Sequence, residues 1–482
     1  MRGTVSRGNV VSTVHFVPSP QQSRLPQTME KKQSVELMEK ASVESPSNDA
    51  NYEIDPEAER KLVRKLDWIL LPLFTLIFQP FIGTARLRAL SKQAMDVLQY
   101  IVADIPSNLI LKRYGSTWLA ILVIGFGVVA LGSAFVTSYQ GLIVTRVFLG
   151  LTEGGTLPGL VYILARYYRR KELVLRIGIF FGLSPSLAGA FGGLLASGLL
   201  RVKDIGIITT VIGIILLFTI PGDPSTTRML TEEERKLAIA RLDADQAVKN
   251  QGRKEKTTLK LVMRSFNLTT IVCTLCFMML NLSFQGLSVF LPTIINSRTI
   301  QVQLRTVPPY LVSALWSVIN AYASFRFQNR FIAIISSVAL MVIGYAIAVG
   351  TTDPHARYAA CFLMVAGGGP SGPMFITWGT ENAAPDTMRA VVSATIPGIG
   401  ALGAVVSVWT YISTDAPNYY RGNSANLGTT TATCIMSALL ALYLHRENKK
   451  RERGERDHIL EGKSQEELEQ LGCRHPEFRY QL

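Results

Sequence analysis

The chain has 482 residues, of which 48% are hydrophobic and only 17% charged, with a formal net charge of +14. A charged fraction so far below the roughly 25% of soluble domains excludes an ordinary soluble fold. The positive charge does not read as a nucleic-acid surface, because its lysines and arginines fall in short clusters between long apolar runs.

In chain order, residues 1–53 are rich in Ser, Pro and Gln and predict a disordered cytosolic tail. No apolar core of the kind a cleaved signal peptide needs lies near Met1, so insertion falls to the first membrane helix. Residues 54–221 hold six apolar segments: Trp68–Ile82, Met95–Leu111, Trp118–Tyr139, Leu142–Ala165, Ile177–Leu200 and Ile205–Ile220. Residues 222–266 form a polar linker, in which Thr231 and Glu234 make a capping box for a short helix to about Leu242. Residues 267–445 hold six more: Leu268–Leu291, Pro308–Phe325, Phe331–Thr351, Tyr358–Trp378, Val391–Ile412 and Thr431–Leu444. Residues 446–482 are a charged tail. A span takes about 20 apolar residues, so the pattern predicts an all-α, polytopic membrane protein of two six-helix bundles. With twelve spans, the basic clusters Arg60–Lys65, Lys112–Arg113, Arg166–Arg176, Arg326–Arg330 and Arg446–Arg453 share one side with both termini. The positive-inside rule makes that side cytoplasmic.

Enzyme chemistry finds no foothold. Cys273 and Cys276 form a C-x-x-C inside an apolar span without the flanks of a redox site. No nucleophile–base pair and no His-rich metal box is visible, so no catalytic residue, metal or cofactor is expected.

The informative segment is the fourth. Arg146 and Glu153 lie seven residues apart in an apolar run, hence on one helix face about 10 Å apart along the axis. An ionisable group at membrane depth costs at least about 2.5–3.5 kcal/mol and is normally turned to a bundle interior or wet cavity. Two on one face predict a polar path, the mark of a transporter. The forked guanidinium of Arg146 suits a carboxylate substrate, and Glu153 suits a coupling proton; the alternative is an ion pair that only joins helices. Gly150, Gly154 and Gly155 are spacers that admit neighbours. In the fifth segment Gly178, Gly182, Ser186, Gly189 and Gly193 make a small-residue stripe with Pro185 beside it. The stripe is either a tight packing face or a sliding surface between the bundles. Asn281 and Gln285, one turn apart, either bind the polar part of a substrate or link helices. Trp378 and Asn382 form either an aromatic gate or an interfacial anchor. Lys112 and Arg113 read as setting topology and contacts between the halves rather than binding, and Asp96 and Asp104 as marks of a loop rather than a site.

The chain resembles the major facilitator superfamily, within it the anion:cation symporters, and most closely the fungal allantoate permease family. The resemblance rests on Leu66 to Trp68 with Pro72, Ile82 to Arg86, Ile105 to Arg113, and Arg146 with Gly150, Glu153 and Gly154. It continues through the Gly182–Gly193 run, Leu230 to Arg235, Phe290 to Thr293, Val307 to Tyr310, Trp378 with Asn382, Asp415 to Gly422, and the tail Gly472 to Leu482. It implies a monomeric, proton-coupled symporter of the plasma membrane whose cargo is a small organic anion such as nicotinate, pantothenate or allantoate. It assigns Arg146 to the anion and Glu153 to the proton. Three departures stand out. Phe78 to Phe81 replaces an acidic–arginine pair, and the stretch from Arg86 to Ile105 is short. The entry to the sixth segment, between Leu200 and Thr210, lacks its tryptophans. These predict shortened first, second and sixth helices, and they leave an inactive relative, or a non-transporting nutrient sensor, as the alternative.

Overall fold

The structure is a computed structural model. It describes residues 55–88, 93–133, 135–136, 138–186, 229–244, 257–295, 299–407, 409–412, 415, 418–460, 462 and 471–482, with isolated positions between 211 and 227. Residues Ile54–Leu482 form one compact unit. The tail 1–53, Gly189, Gly193 and nearly all of the sixth segment lie outside the described residues.

The described chain is helical and contains no strand. Helix α1, Pro56–Arg88, starts where the Asp55 carboxylate accepts the N–H groups of Glu57 and Ala58, with Pro56 in the first turn. Helix α2 is Gln93–Tyr114. Their apolar stretches are short, yet the helices run to 33 and 22 residues, because polar flanks continue the backbone ladder past the apolar core. At ~1.5 Å per residue, α2 is long enough for a bilayer. Then follow α3 (Ser116–Ser133), α4 (Tyr139–Glu153), α5 (Thr156–Tyr167) and α6 (Arg170–Ile177). A π turn, Gly178–Gly182, carries α6 on to Ser186. It lies just before Pro185, whose ring crowds the carbonyl four residues earlier and has no N–H to give, so the ladder is widened there.

The linker contributes α7 (Glu232–Asp243) and α8 (Leu259–Arg264). The expected capping box is present, with Thr231 and Glu234 exchanging both bonds. The C-terminal helices are α9 (Leu268–Ile295), α10 (Thr299–Phe327), α11 (Arg330–Gly350), α12 (Pro354–Glu381), α13 (Asp386–Gly400), α14 (Leu402–Ser407) and α15 (Tyr420–Glu452). Seven stretches among the described residues are long and apolar enough to cross a membrane: Ser116–Ser133, Ile143–Tyr167, Leu268–Leu287, Arg330–Gly350, Pro354–Glu381, Asp386–Ser407 and Tyr420–Glu452.

One end of the molecule carries the charge. Arg241 of α7 is almost fully buried and reaches both Glu59 of α1 and Glu172 of α6 at 2.8 Å, while Lys65 bonds Glu234 at 2.7 Å. Arg176 grips Asp67 with two bonds of 2.8 and 2.9 Å. The linker helix is thus strapped to the N-terminal helices. Among the C-terminal helices Arg330 and Glu381, both completely buried, pair through two bonds of 2.9 and 3.1 Å. Forked pairs of this kind fix orientation as well as charge.

Candidate functional site

The segment carrying Arg146 and Glu153 is not one helix. Helix α4 ends at Glu153, Gly154 turns the chain (ψ 137°), and Gly155 at φ +79° begins α5. That left-handed position favours glycine. A Cβ on Gly155 would also collide with the Ser107 Oγ, so the break is fitted against α2. Discontinuous helices of this kind place free backbone groups and a helix dipole inside a membrane, where they hold ligands or ions. Gly150 and Gly154 are buried, the Gly154 N–H bonding the Gly150 carbonyl at 2.9 Å. Glu153, half-buried, is the last residue before the break. Arg146 lies on α4, two turns before Glu153; its side chain is outside those described.

Asp104 of α2 fills the break. Its Oδ1 accepts the Gly155 N–H at 2.6 Å, and Trp118 donates to the nearby Ser107 hydroxyl at 2.9 Å. Asp104 belongs to this site, not to a loop. Sequence reading passed over it because the second segment looks too polar to span; its eight-residue spacing from Lys112 was the available signal.

From Asp104 towards the charged end, α2 is seamed to α13. Asn108 donates to the Ala390 carbonyl at 2.8 Å and the Ser393 hydroxyl at 3.1 Å, and Lys112 donates to Thr387 at 2.5 Å. Arg166, in the last turn of α5, pairs with Asp386 at 2.5 Å. Lys112 is therefore a contact between N- and C-terminal helices. A second seam joins α6 to α10. The place of a Cβ on Gly178 is 2.5 Å from the Ala321 Cβ, Gly182 faces Ser317, and the Ser186 and Ser313 hydroxyls are 3.2 Å apart. The described part of the small-residue stripe thus meets a matching row of small residues spaced four apart, which brings the two backbones close. Pro185 is half-buried beside it. The two seams join the N-terminal helices to the C-terminal ones.

The remaining candidates scatter. Asn281 of α9 donates to the Gly400 carbonyl at 3.2 Å, where α13 gives way to α14, and so links helices across a break. Gln285, one turn on, is exposed. Trp378 is completely buried, and its indole N–H goes to the Gln481 carbonyl at 2.9 Å. Asn382 makes two bonds to the same residue, accepting its N–H at 2.8 Å and donating to its carbonyl at 3.1 Å. The structure therefore brings Trp378 and Asn382 to the C-terminal tail rather than to Glu153. The Cys273 and Cys276 thiols are buried, and no cluster of metal-ligating side chains occurs among the described residues.

Comparison with known proteins agrees with this architecture. The Major Facilitator Superfamily profile matches residues 93–408. An uncharacterized transporter of Schizosaccharomyces pombe is 29% identical over 466 residues, covering 89% of this chain and 94% of its own. Among solved structures, the Escherichia coli fucose:proton symporter FucP in its outward conformation superposes with a TM-score of 0.60 at 13% identity, over 77% of this chain and 97% of its own. The human organic anion transporter MFSD10 gives 0.56 at 14% identity, over 80% of this chain and all of its own. A helical fold, multiple apolar spans and a match over well above half the length lead to one conclusion: the chain is a multi-pass membrane protein that belongs to the major facilitator superfamily, a transporter-family protein and not an enzyme.

Proposed function

We propose that the chain is a proton-coupled symporter of the plasma membrane. It brings a small organic anion, a carboxylate of the vitamin or nitrogen-source kind, inward by alternating access between its N- and C-terminal halves, with both termini in the cytoplasm. The observation that carries this reading is the broken helix α4–α5, which sets Arg146 and Glu153 two turns apart inside an otherwise apolar span. Arginine supplies a forked donor for a carboxylate, and a carboxylate beside the break supplies a site for the proton. The seams α2–α13 and α6–α10 act as the inner gate, shut in this conformation. Relatives named as transporters, and fold neighbours named as an anion transporter and a fucose:proton symporter, support the class of activity.

The test is uptake of radiolabelled nicotinate, pantothenate and allantoate by proteoliposomes holding the full chain, with and without an inward proton gradient. Saturable uptake of one of them, driven uphill by the gradient and abolished by a protonophore, is the expected result. No gradient-dependent uptake of any carboxylate would overturn it and favour an inactive relative.

A further inference from the structure

Asp104 lies about 12 Å along α2 from Lys112 and the charged end, well inside the bundle. Its side chain is wholly buried. Oδ1 is held by the Gly155 N–H at the N-terminal end of α5, where a negative charge is favoured. Oδ2 is different. It has no hydrogen-bond partner among the described residues, and it faces Gly398 of α13 so closely that a Cβ there would come within 2.5 Å of it.

Among the described side chains, the cations nearby are engaged with other groups. On α2 itself, Lys112 is turned to Thr387, and the Asp96 side chain lies outside those described. From α4, Glu153 bears on Asp104 as a like charge, and the Arg146 side chain lies outside those described. Arg166 at the end of α5 is paired with Asp386 of α13, and Arg389 of α13 faces the same aspartate at 3.6 Å. Helices α3 and α14 carry no charged residue. A buried carboxylate with one bare oxygen and an acidic neighbour is relieved most directly by neutralisation.

We propose that Asp104 is a proton-binding site of this protein. It holds a proton on Oδ2 while α2 and α13 are pressed together, and it gives that proton to water when the seam parts at the charged end. The step is a proton transfer alone. An O–H bond forms on Oδ2 as a hydronium ion gives up its proton and leaves as water, and its rupture returns the proton to water, leaving a carboxylate and a hydronium ion. Gly398 is the element that couples the two events, since its lack of a side chain lets α13 seal the acid and its withdrawal opens the acid to solvent. Asp104 thus stands beside Glu153 as a second carboxyl at the helix break, one that α13 covers.

The inference deepens the proton-coupled reading and is tested apart from transport, with the proton itself as probe. Infrared difference spectra of the purified full chain in lipid nanodiscs, in water and in deuterium oxide, report protonated carboxyl groups. The expected result at neutral pH is a carboxylic-acid carbonyl band of a weakly hydrogen-bonded acid, slow to exchange, lost in Asp104→Asn and kept in Glu153→Gln. Asp386→Asn, which loosens the seam without touching Asp104, is expected to shrink the band and speed its exchange, and it decides the matter should Asp104→Asn fail to fold. Absence of the band in the unaltered chain, its persistence in Asp104→Asn, or indifference to Asp386→Asn would overturn the proposal. The band without proton-driven uptake would sink the symporter and spare the site; uptake without the band would do the reverse.

Discussion

Arg330 and Glu381 show how single residues hold this bundle together. Both are inaccessible to solvent, and the guanidinium also donates to the Ser324 carbonyl at 2.7 Å. Removing one member strands the other, which typically costs about 3–5 kcal/mol, whereas replacing both with apolar groups is often neutral. Glu381→Gln is therefore expected to lower the thermal unfolding midpoint in detergent markedly, and Arg330→Met with Glu381→Met to recover most of it. Equal losses in the single and double variants would show that the pair is not the cause. Arg146→Lys is the corresponding functional change. A point charge cannot reproduce the fork, so affinity for the carried anion should fall by about tenfold or more, at about 1.4 kcal/mol per decade, while membrane abundance stays normal. An unchanged KM for uptake would remove Arg146 from the anion site.

What was legible at this scale follows from physics. Arg146 and Glu153 stand out because charges are conspicuous in an apolar run. Asp104 hid because its own segment is short of apolar residues. Trp378 read as a gate because its partner, Gln481, is over a hundred positions away along the chain, and no local pattern announces such a contact.

Among elements, the stripe on α6 and the strap of α7 make different demands. Gly178 has no room for a side chain against Ala321. Gly178→Val should overpack the crossing by about 1–3 kcal/mol, lowering both the unfolding midpoint and uptake, and Ala321→Gly in the same chain should restore part of each. No rescue would place the damage elsewhere. The pattern of small residues was readable as a packing face; its partner row Ser313, Ser317 and Ala321 was not, because serine and alanine at helical spacing are ordinary in any span. The α7 strap adds a pH dependence. Burial alone pushes the Glu234 carboxyl up, but the bonds from Lys65 and the Thr231 N–H outweigh it and hold the group below its ordinary range. With the folded value depressed, the stabilisation is present above the unfolded carboxylate pKa and is lost as pH falls through the folded one. Hydrogen exchange in residues 232–243 should be faster in Glu234→Gln at neutral pH, with the gap closing under acid. A gap that persists unchanged in acid would show that the pair does not hold the strap.

For the whole molecule, hydropathy and charge clusters were enough to read a polytopic helical fold with its basic end, because burial in lipid leaves a long, one-dimensional trace in the sequence. The helix break and the covering of the charged end leave no such trace, since both rest on contacts between distant segments. The C-terminal tail is the clearest case. Residues 471–482 lie across the ends of the C-terminal helices. The Cys473 N–H bonds Ala384, Tyr480 exchanges two bonds with Asn448, Arg451 donates to the Phe478 carbonyl, and the Leu482 carbonyl accepts the Arg330 N–H. Trp378 and Asn382 complete the set. Deleting residues 472–482 would strip partners from a buried indole, two side-chain amides and two arginines at once, and each buried polar group left unsatisfied costs about 1–3 kcal/mol. The truncated chain is expected to reach the membrane in much smaller amounts and to melt earlier in detergent. Phe478→Ala, which keeps these bonds but removes a buried ring, should have a smaller effect. If the truncated chain matched the full one in abundance and midpoint, the tail would be a passive cover, and the burial of Trp378 would need another explanation.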